Sequence, residues 1–188
     1  LIDDDVSLEQ LLTHTSGIQS YTAIPGWMTS KILAPMTVTE LVDGFKKEPM
    51  QFAPGEKWAY NNSAFVLLGA LIEKVSGKSY EAFVKERIFQ PLGMTSSYYG
   101  SNEPIIPKRV PGYSADGDRL RNAGYLSMTQ PYSAGSLSST VDDLARWDAA
   151  LYTEKTLRKA SLEKAWTSYH LKSGEATKYG YGWEIETL

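Results

Sequence analysis

The triplet Tyr60-Asn61-Asn62 places a phenol and two carboxamides directly before the apolar run "AFVLLGALI". One interpretation is structural: Asn61, Asn62 or Ser63 caps the N-terminus of a buried helix, and Tyr60 packs as a partly buried aromatic residue. The other is chemical: Tyr60 acts as a general base once a nearby ammonium group favours its phenolate, and the Asn62 amide hydrogen-bonds a substrate carbonyl. Spacing alone favours the structural interpretation.

The elements that must position this triplet are mostly helices with clear end signals. Ser7 with Gln10 and Thr37 with Glu40 form capping boxes, each before a run of apolar residues. The helix after the triplet should end at Gly77, a residue able to take the left-handed conformation. Three further helices are predicted, from Ser79 to the "QPLG" stretch, from Ser139 or Thr140 with Leu144, Trp147 and Leu151 buried, and over about 157–166.

Strand signals are scarce in this sequence. Residues 95–138 are rich in Pro, Gly, Ser and Asp, which predicts a packed loop. "GYLSM" is a possible strand, and "YGYGWEIETL" at the end of the sequence is a better one because Tyr181, Trp183 and Ile185 alternate. The pattern therefore predicts an α+β fold that is mostly helical with little strand.

Composition excludes several classes of function. The 188 residues carry a net charge of −3, so no nucleic-acid partner is expected. The absence of cysteine excludes disulfides, thiol catalysis and thiolate metal sites. The longest apolar run has nine residues and predicts no transmembrane segment.

Several motifs in a fixed order resemble the serine β-lactamase and penicillin-binding-protein superfamily, in the branch of class C β-lactamases, related esterases and D-amino-acid peptidases. The resemblance rests on "LLTHTSGI", "PGEKWAYNNSAFVLLGALIEKVSG", "PLGM", "AGSLSSTVDDLARW" and "YGYGW", and it spans nearly the whole chain. The family has a Tyr-x-Asn triplet, which Tyr60 and Asn62 match. The middle residue, Asn61, departs from the more usual Ser or Ala.

The resemblance implies a fold and a chemistry. The fold is an antiparallel sheet flanked by helices, with a helical subdomain. The chemistry is acylation of a serine by an amide, lactam or ester, with Tyr60 in proton transfer and Asn62 orienting a small-molecule or peptide-like carbonyl substrate. No cofactor is implied, and export to the periplasm or beyond is expected from the family.

The family also uses a nucleophilic Ser-x-x-Lys and a Lys/His-Thr/Ser-Gly strand. Ser161 with Lys164 and the stretch Lys172–Gly174 imitate these motifs, but both stand in the wrong order and context. "SLEK" follows Tyr60 instead of preceding "LLTHTSG", and "KSG" reads as a turn. We therefore expect the 188 residues to form one central part of a larger domain. The nucleophile and third motif would lie outside it, and the part alone would be inactive.

Two rival hypotheses remain at this point. One is a binding or scaffold protein that keeps the fold without the chemistry, and the other is a self-sufficient enzyme that uses Ser161 and Lys164. A metal enzyme is not expected, because His14 and His170 are far apart in sequence and have no ligand cluster around them. His14 is expected to support the "HTSG" turn.

Overall fold

The computed structural model describes residues 5–186, in which helices supply most of the regular structure. The α-helices are α1 (Leu8–Leu12), α2 (Val38–Asp43), α3 (Asn62–Ser76), α4 (Tyr80–Val84), α5 (Gln90–Leu92), α6 (Tyr132–Gly135), α7 (Val141–Leu151) and α8 (Lys159–Ala165). A π-helical turn joins α4 to α5, and short 3₁₀ turns lie at Tyr21–Ala23 and Lys31–Leu33. The α+β class, mostly helical with little strand, is confirmed.

The predicted helix ends are confirmed. They could be predicted because they depend on hydrogen bonds between residues close in sequence. Both capping boxes form, at Ser7 and at Thr37. Helix α3 ends at Gly77, which takes the left-handed conformation with φ of 69°. Thr140 caps α7 by accepting a hydrogen bond from the Asp143 amide.

Residues 95–138 are not the single loop that their composition predicts. They contain the strands β1 (Tyr98–Tyr99), β2 (Tyr113–Asp116), β3 (Arg119–Asn122) and β4 (Leu137–Ser138), as well as α6. Strands β2 and β3 form an antiparallel hairpin, and β1 pairs antiparallel with β4. The proposed strand "GYLSM" is wrong, since it has no regular structure before a turn at its end.

The predicted strand near the end of the chain is also absent from the described residues. The part of "YGYGWEIETL" up to residue 186 contains one isolated antiparallel bridge, between Tyr179 and Glu184. The last two residues of that stretch lie outside the described residues. No helix in the described part of the chain is long and apolar enough to cross a membrane.

Helix α7 buries Leu151 and partly buries Trp147, as its apolar pattern predicts, but it does not bury Leu144. Leu144 is 53% exposed, whereas Asp143 and Leu151 are buried. Asp143 takes the inner position because its carboxylate accepts hydrogen bonds from the Ser96 amide and the Ser97 hydroxyl, both at 2.8 Å. A buried carboxylate with these partners fixes α7 against the start of β1.

Helix α3 lies at the centre of the main core. Its Ala64 and Val66 are fully buried against a cluster drawn from α1, α2, α6 and the turns that follow α1. The buried members of this cluster are Leu11, Ile18, Tyr21, Trp27, Leu41, Phe45, Ala64, Val66 and Tyr132. The N-terminus of α3 is thereby held rigidly, which fixes the residues just before it.

Candidate active site

Tyr60 lies at the surface, immediately before α3. Its side chain is 58% exposed, although the helix that follows is buried. In the described part of the chain its hydroxyl makes no hydrogen bond. The phenol is therefore open to a ligand, and it is not sealed in the core.

The ring of Tyr60 rests on a cluster of aromatic side chains centred on His14. The His14 ring lies 4.5 Å from that of Tyr60, 4.9 Å from Phe65 and 5.0 Å from Tyr179, measured between ring centroids. Trp58 stands edge-on to the same imidazole at 6.2 Å. The phenol ring therefore packs on an imidazole that three other rings hold in place.

Tyr60 also acts on two neighbouring tyrosines. Burial raises the pKa of Tyr21 to about 12, and the nearby Tyr60 phenol adds to this effect. Burial, then Tyr60 and Glu184, raise the pKa of Tyr179. Both neighbours therefore remain protonated at neutral pH.

Asn61 is the residue that caps α3. Its side-chain oxygen accepts a hydrogen bond from the Ala64 amide at 3.0 Å, and its side-chain NH₂ donates to the Ile18 carbonyl. Its side chain is only 2% exposed. The structural role foreseen for the triplet thus falls on Asn61, and Tyr60 and Asn62 do not share it.

Asn62 is held by two hydroxyl groups from the turn that follows "HTSG". Its backbone amide donates to Ser20 Oγ at 3.3 Å, and its Nδ2 donates to Thr22 Oγ1 at 3.2 Å. The two hydroxyls are 3.0 Å apart, so they form one small network. The second N–H of the amide and its Oδ1 have no partner among the described residues. The Asn62 carboxamide is therefore oriented while part of its hydrogen-bonding capacity stays unused.

Ser161 and Lys164 lie on the short helix α8, where the lysine turns to other partners. Lys164 Nζ lies 3.3 Å from Glu9 Oε1 and 5.4 Å from the centroid of the Tyr181 ring. Tyr181 and then Glu9 raise the pKa of Lys164, which favours the ammonium form. A lysine held as a cation cannot accept the proton of Ser161.

The stretch Lys172–Gly174 forms a turn, as its composition predicts. The Gly174 amide donates to the Leu171 carbonyl at 2.9 Å, and an isolated bridge joins His170 to Ala176 on either side. The Lys172 amide donates to the Gly55 carbonyl at 2.9 Å. This places the turn against the "PGEKW" segment that leads to Tyr60.

The two histidines lie in different surroundings. His14 is buried under Tyr60, and His170 is exposed. Within residues 5–186 no group of three or more His, Asp or Glu side chains comes close enough to hold a metal ion.

Comparison with known proteins decides the family. The family model described as Beta-lactamase matches residues 2–188. The chain belongs to the beta-lactamase family. This is a family of serine hydrolases, and the resemblance read from the ordered motifs is confirmed at the level of the superfamily that also holds the penicillin-binding proteins.

Three relatives from different organisms are each longer than this chain. Penicillin-binding protein 4* of Bacillus subtilis is 34% identical over 96% of this chain and 43% of its own length. A D-stereospecific amidohydrolase from Streptomyces sp. is 29% identical, with a TM-score of 0.78 over 94% of this chain and 56% of its own. An octameric penicillin-binding protein homologue from Pyrococcus abyssi is 36% identical, with a TM-score of 0.71 over 94% of this chain and 42% of its own. The chain thus spans about half the length of these relatives.

Sequence reasoning missed the residues that hold the triplet in place. His14 was expected to support a turn, yet it contacts Tyr60 and the backbone on both sides of it. Ser20 and Thr22 belong to none of the motifs recognised in the sequence. These contacts join residues about 40 positions apart, and only the order of "HTSG" before the triplet hinted at them.

Proposed function

We propose that this chain is part of a serine hydrolase that acts on an amide, lactam or ester through an acyl-enzyme. Tyr60 transfers protons in this reaction, and Asn62 orients the carbonyl of the substrate. The observation that carries the proposal is an exposed Tyr60 hydroxyl, unpaired among residues 5–186, at the start of a buried helix, with a partly unused carboxamide two residues later. Membership of the beta-lactamase family supports it.

The proposed chemistry needs a serine whose hydroxyl attacks the carbonyl carbon. The serine proton passes to the Tyr60 phenolate as the Oγ–C bond forms. The protonated phenol then gives this proton to the leaving nitrogen or oxygen as the bond to it breaks. The free N–H of Asn62 donates a hydrogen bond to the substrate and holds the carbonyl in line for attack.

The serine and its lysine are proposed to lie in polypeptide outside these 188 residues. The pairing of Lys164 with Glu9 supports this proposal, because it leaves Ser161 without a base. An ammonium group contributed by the missing lysine would favour the Tyr60 phenolate. On this proposal the 188 residues alone do not turn over substrate.

The substrate class is proposed as a small molecule or peptide-like compound with a reactive carbonyl. The relatives bear the names penicillin-binding protein and D-stereospecific amidohydrolase, which refer to a lactam and an amide. Location in the periplasm or outside the cell is proposed on the family resemblance.

Replacing Tyr60 with Phe in the intact protein tests the assignment. Single-turnover acylation by a fluorescent penicillin or a chromogenic ester should slow by about 10²-fold or more, as expected for loss of a general base. The Kd of the substrate should change little, because the ring and its packing remain. The matched control is Tyr152→Phe, which removes a hydroxyl from another exposed tyrosine and should leave the rate unchanged.

An unchanged acylation rate in Y60F would defeat the role of Tyr60. Failure of the unmodified intact protein to form any acyl-enzyme would instead favour the scaffold hypothesis.

A further inference from the structure

His14 holds the backbone on both sides of Tyr60. Its carbonyl accepts a hydrogen bond from the Ala59 amide at 3.0 Å, and its Nδ1 accepts one from the Asn61 amide at 3.1 Å. Its ring is also 4.5 Å from the Tyr60 ring. One residue therefore fixes the position before the phenol, the position after it, and the phenol ring itself.

His14 has two energetically unfavourable features, a positive φ and a buried ring nitrogen without a hydrogen-bond partner among the described residues. Its φ is 59°, in the left-handed region that few residues other than glycine adopt, although histidine, asparagine and aspartate adopt it more often than the rest. Its Nε2 is buried and has no hydrogen-bond partner among the described residues. Because Nδ1 accepts a hydrogen bond, a neutral imidazole must carry its proton on Nε2, so the unpartnered group is a donor. Such costs are typical of residues whose geometry serves a site.

We infer that His14 is a positioning residue for Tyr60, setting the direction and distance of the phenol oxygen relative to the reacting carbonyl. This inference rests on the proposed function. His14 is only 1% exposed and lies beneath the phenol, so it acts through Tyr60 and does not touch the substrate.

Two substitutions in the intact protein separate the two kinds of contact. In His14→Asn the side-chain oxygen replaces Nδ1 as acceptor, and asparagine tolerates the positive φ, but the ring contact is lost. In His14→Phe the ring remains and the acceptor is lost. We expect each variant to slow single-turnover acylation by about 10- to 100-fold, the range produced by a small misplacement of a reacting group. Substrate Kd should change much less than the rate.

A double-mutant cycle with Tyr60→Phe distinguishes positioning from general loss of structure. If His14 acts through the phenol oxygen, H14N and H14F should slow acylation strongly when Tyr60 is present and hardly at all in the Y60F background. Equal slowing in both backgrounds, or no slowing in either, would overturn the inference. An unaltered rate in Y60F alone would instead refute the proposed function, so the two failures are distinguishable.

A third variant covers the case in which His14 substitutions prevent folding. Phe65→Leu removes a second ring that packs on the imidazole at 4.9 Å and leaves both His14 hydrogen bonds in place. The same cycle with Y60F applies to it, with a smaller expected slowing of a few-fold. Additive effects of Phe65→Leu and Y60F on the acylation rate would count against the inference in the same way.

Discussion

The two asparagines of the triplet have different surroundings, although they are neighbours of the same type. Asn61 uses its side-chain oxygen to cap α3 and its NH₂ to bond the Ile18 carbonyl. The Asn62 side chain is tied to Thr22 through one N–H, and its second N–H and its Oδ1 are unpaired within the described residues. The structural and chemical interpretations of the sequence are thus compatible, because they apply to different residues.

The buried imidazole of His14 predicts a pH dependence of stability. Burial lowers the pKa of His14 from 6.5 to about 4. Between these values the unfolded chain binds a proton that the folded chain does not. The free energy of unfolding should therefore fall as the pH falls from 6.5 towards 4, by up to about 3 kcal/mol in total. Urea unfolding of the intact protein across this range measures the slope.

The H14N variant is the control for this titration. It has no imidazole at position 14, so its free energy of unfolding should lose this part of the pH dependence. A slope between pH 6.5 and 5 that is the same in H14N and the unmodified protein would show that His14 is not the group responsible.

At the scale of elements, the packing of α3 on α6 depends on Gly69. A Cβ at this position would overlap the Ser133 side chain and lie 2.7 Å from a carbon of the Tyr132 ring. Helix propensity alone would make Gly69→Ala stabilising by about 1 kcal/mol. Overpacking typically costs about 1–3 kcal/mol, so we expect a net loss of stability in the intact protein. Denaturant unfolding measures it.

Ser133→Gly supplies the matched background for this prediction. It removes the side chain that the new methyl group would overlap, so Gly69→Ala should cost less in that background. An equal cost with and without the Ser133 side chain would mean that Ser133 is not the residue that excludes the methyl group, which would leave the Tyr132 ring as the obstacle.

The elements that could be predicted from sequence are those whose signals are local. The caps of α1, α2 and α7 and the end of α3 depend on side chains within four residues of the helix end. The β2–β3 hairpin was missed because its strands are mostly exposed and lack the apolar alternation that marks a half-buried strand. Gly117 and Asp118, the two residues of its turn, were the available signal, with a φ of 60° at Gly117.

The burial of Leu144 was predicted wrongly because apolar periodicity ignores hydrogen bonds between distant segments. Asp143 is buried in its place, where Ser96, Ser97 and Arg146 all bond its carboxylate. Burial alone would raise the pKa of Asp143, but these partners outweigh it and hold the pKa below its ordinary value. Contacts between residues 46 and 47 positions apart cannot be read from one sequence. The contact of His14 with the Tyr60 segment was missed for the same reason.

At the scale of the whole molecule, the candidate site is a convergence of three segments. The "HTSG" turn contributes His14, the start of α3 contributes the triplet, and the segment after α8 contributes Tyr179. This last segment is tied back to α1, since the Gly182 amide donates to the Leu12 carbonyl at 3.3 Å. The site is therefore assembled from parts of the chain more than 160 residues apart, and it can form only when these parts are folded together.

The location of the nucleophile gives the last prediction. If the acylated serine lies outside these 188 residues, peptide mapping of the intact protein after labelling with a fluorescent penicillin should find no label within them. Ser161→Ala should label as fast as the unmodified protein, because Ser161 is exposed on a short helix and Lys164 is held as a cation by Glu9. The Y60F variant, measured beside it, should label slowly. Loss of label in S161A, or a labelled peptide containing Ser161, would make Ser161 the nucleophile and require Lys164 to leave Glu9 during catalysis.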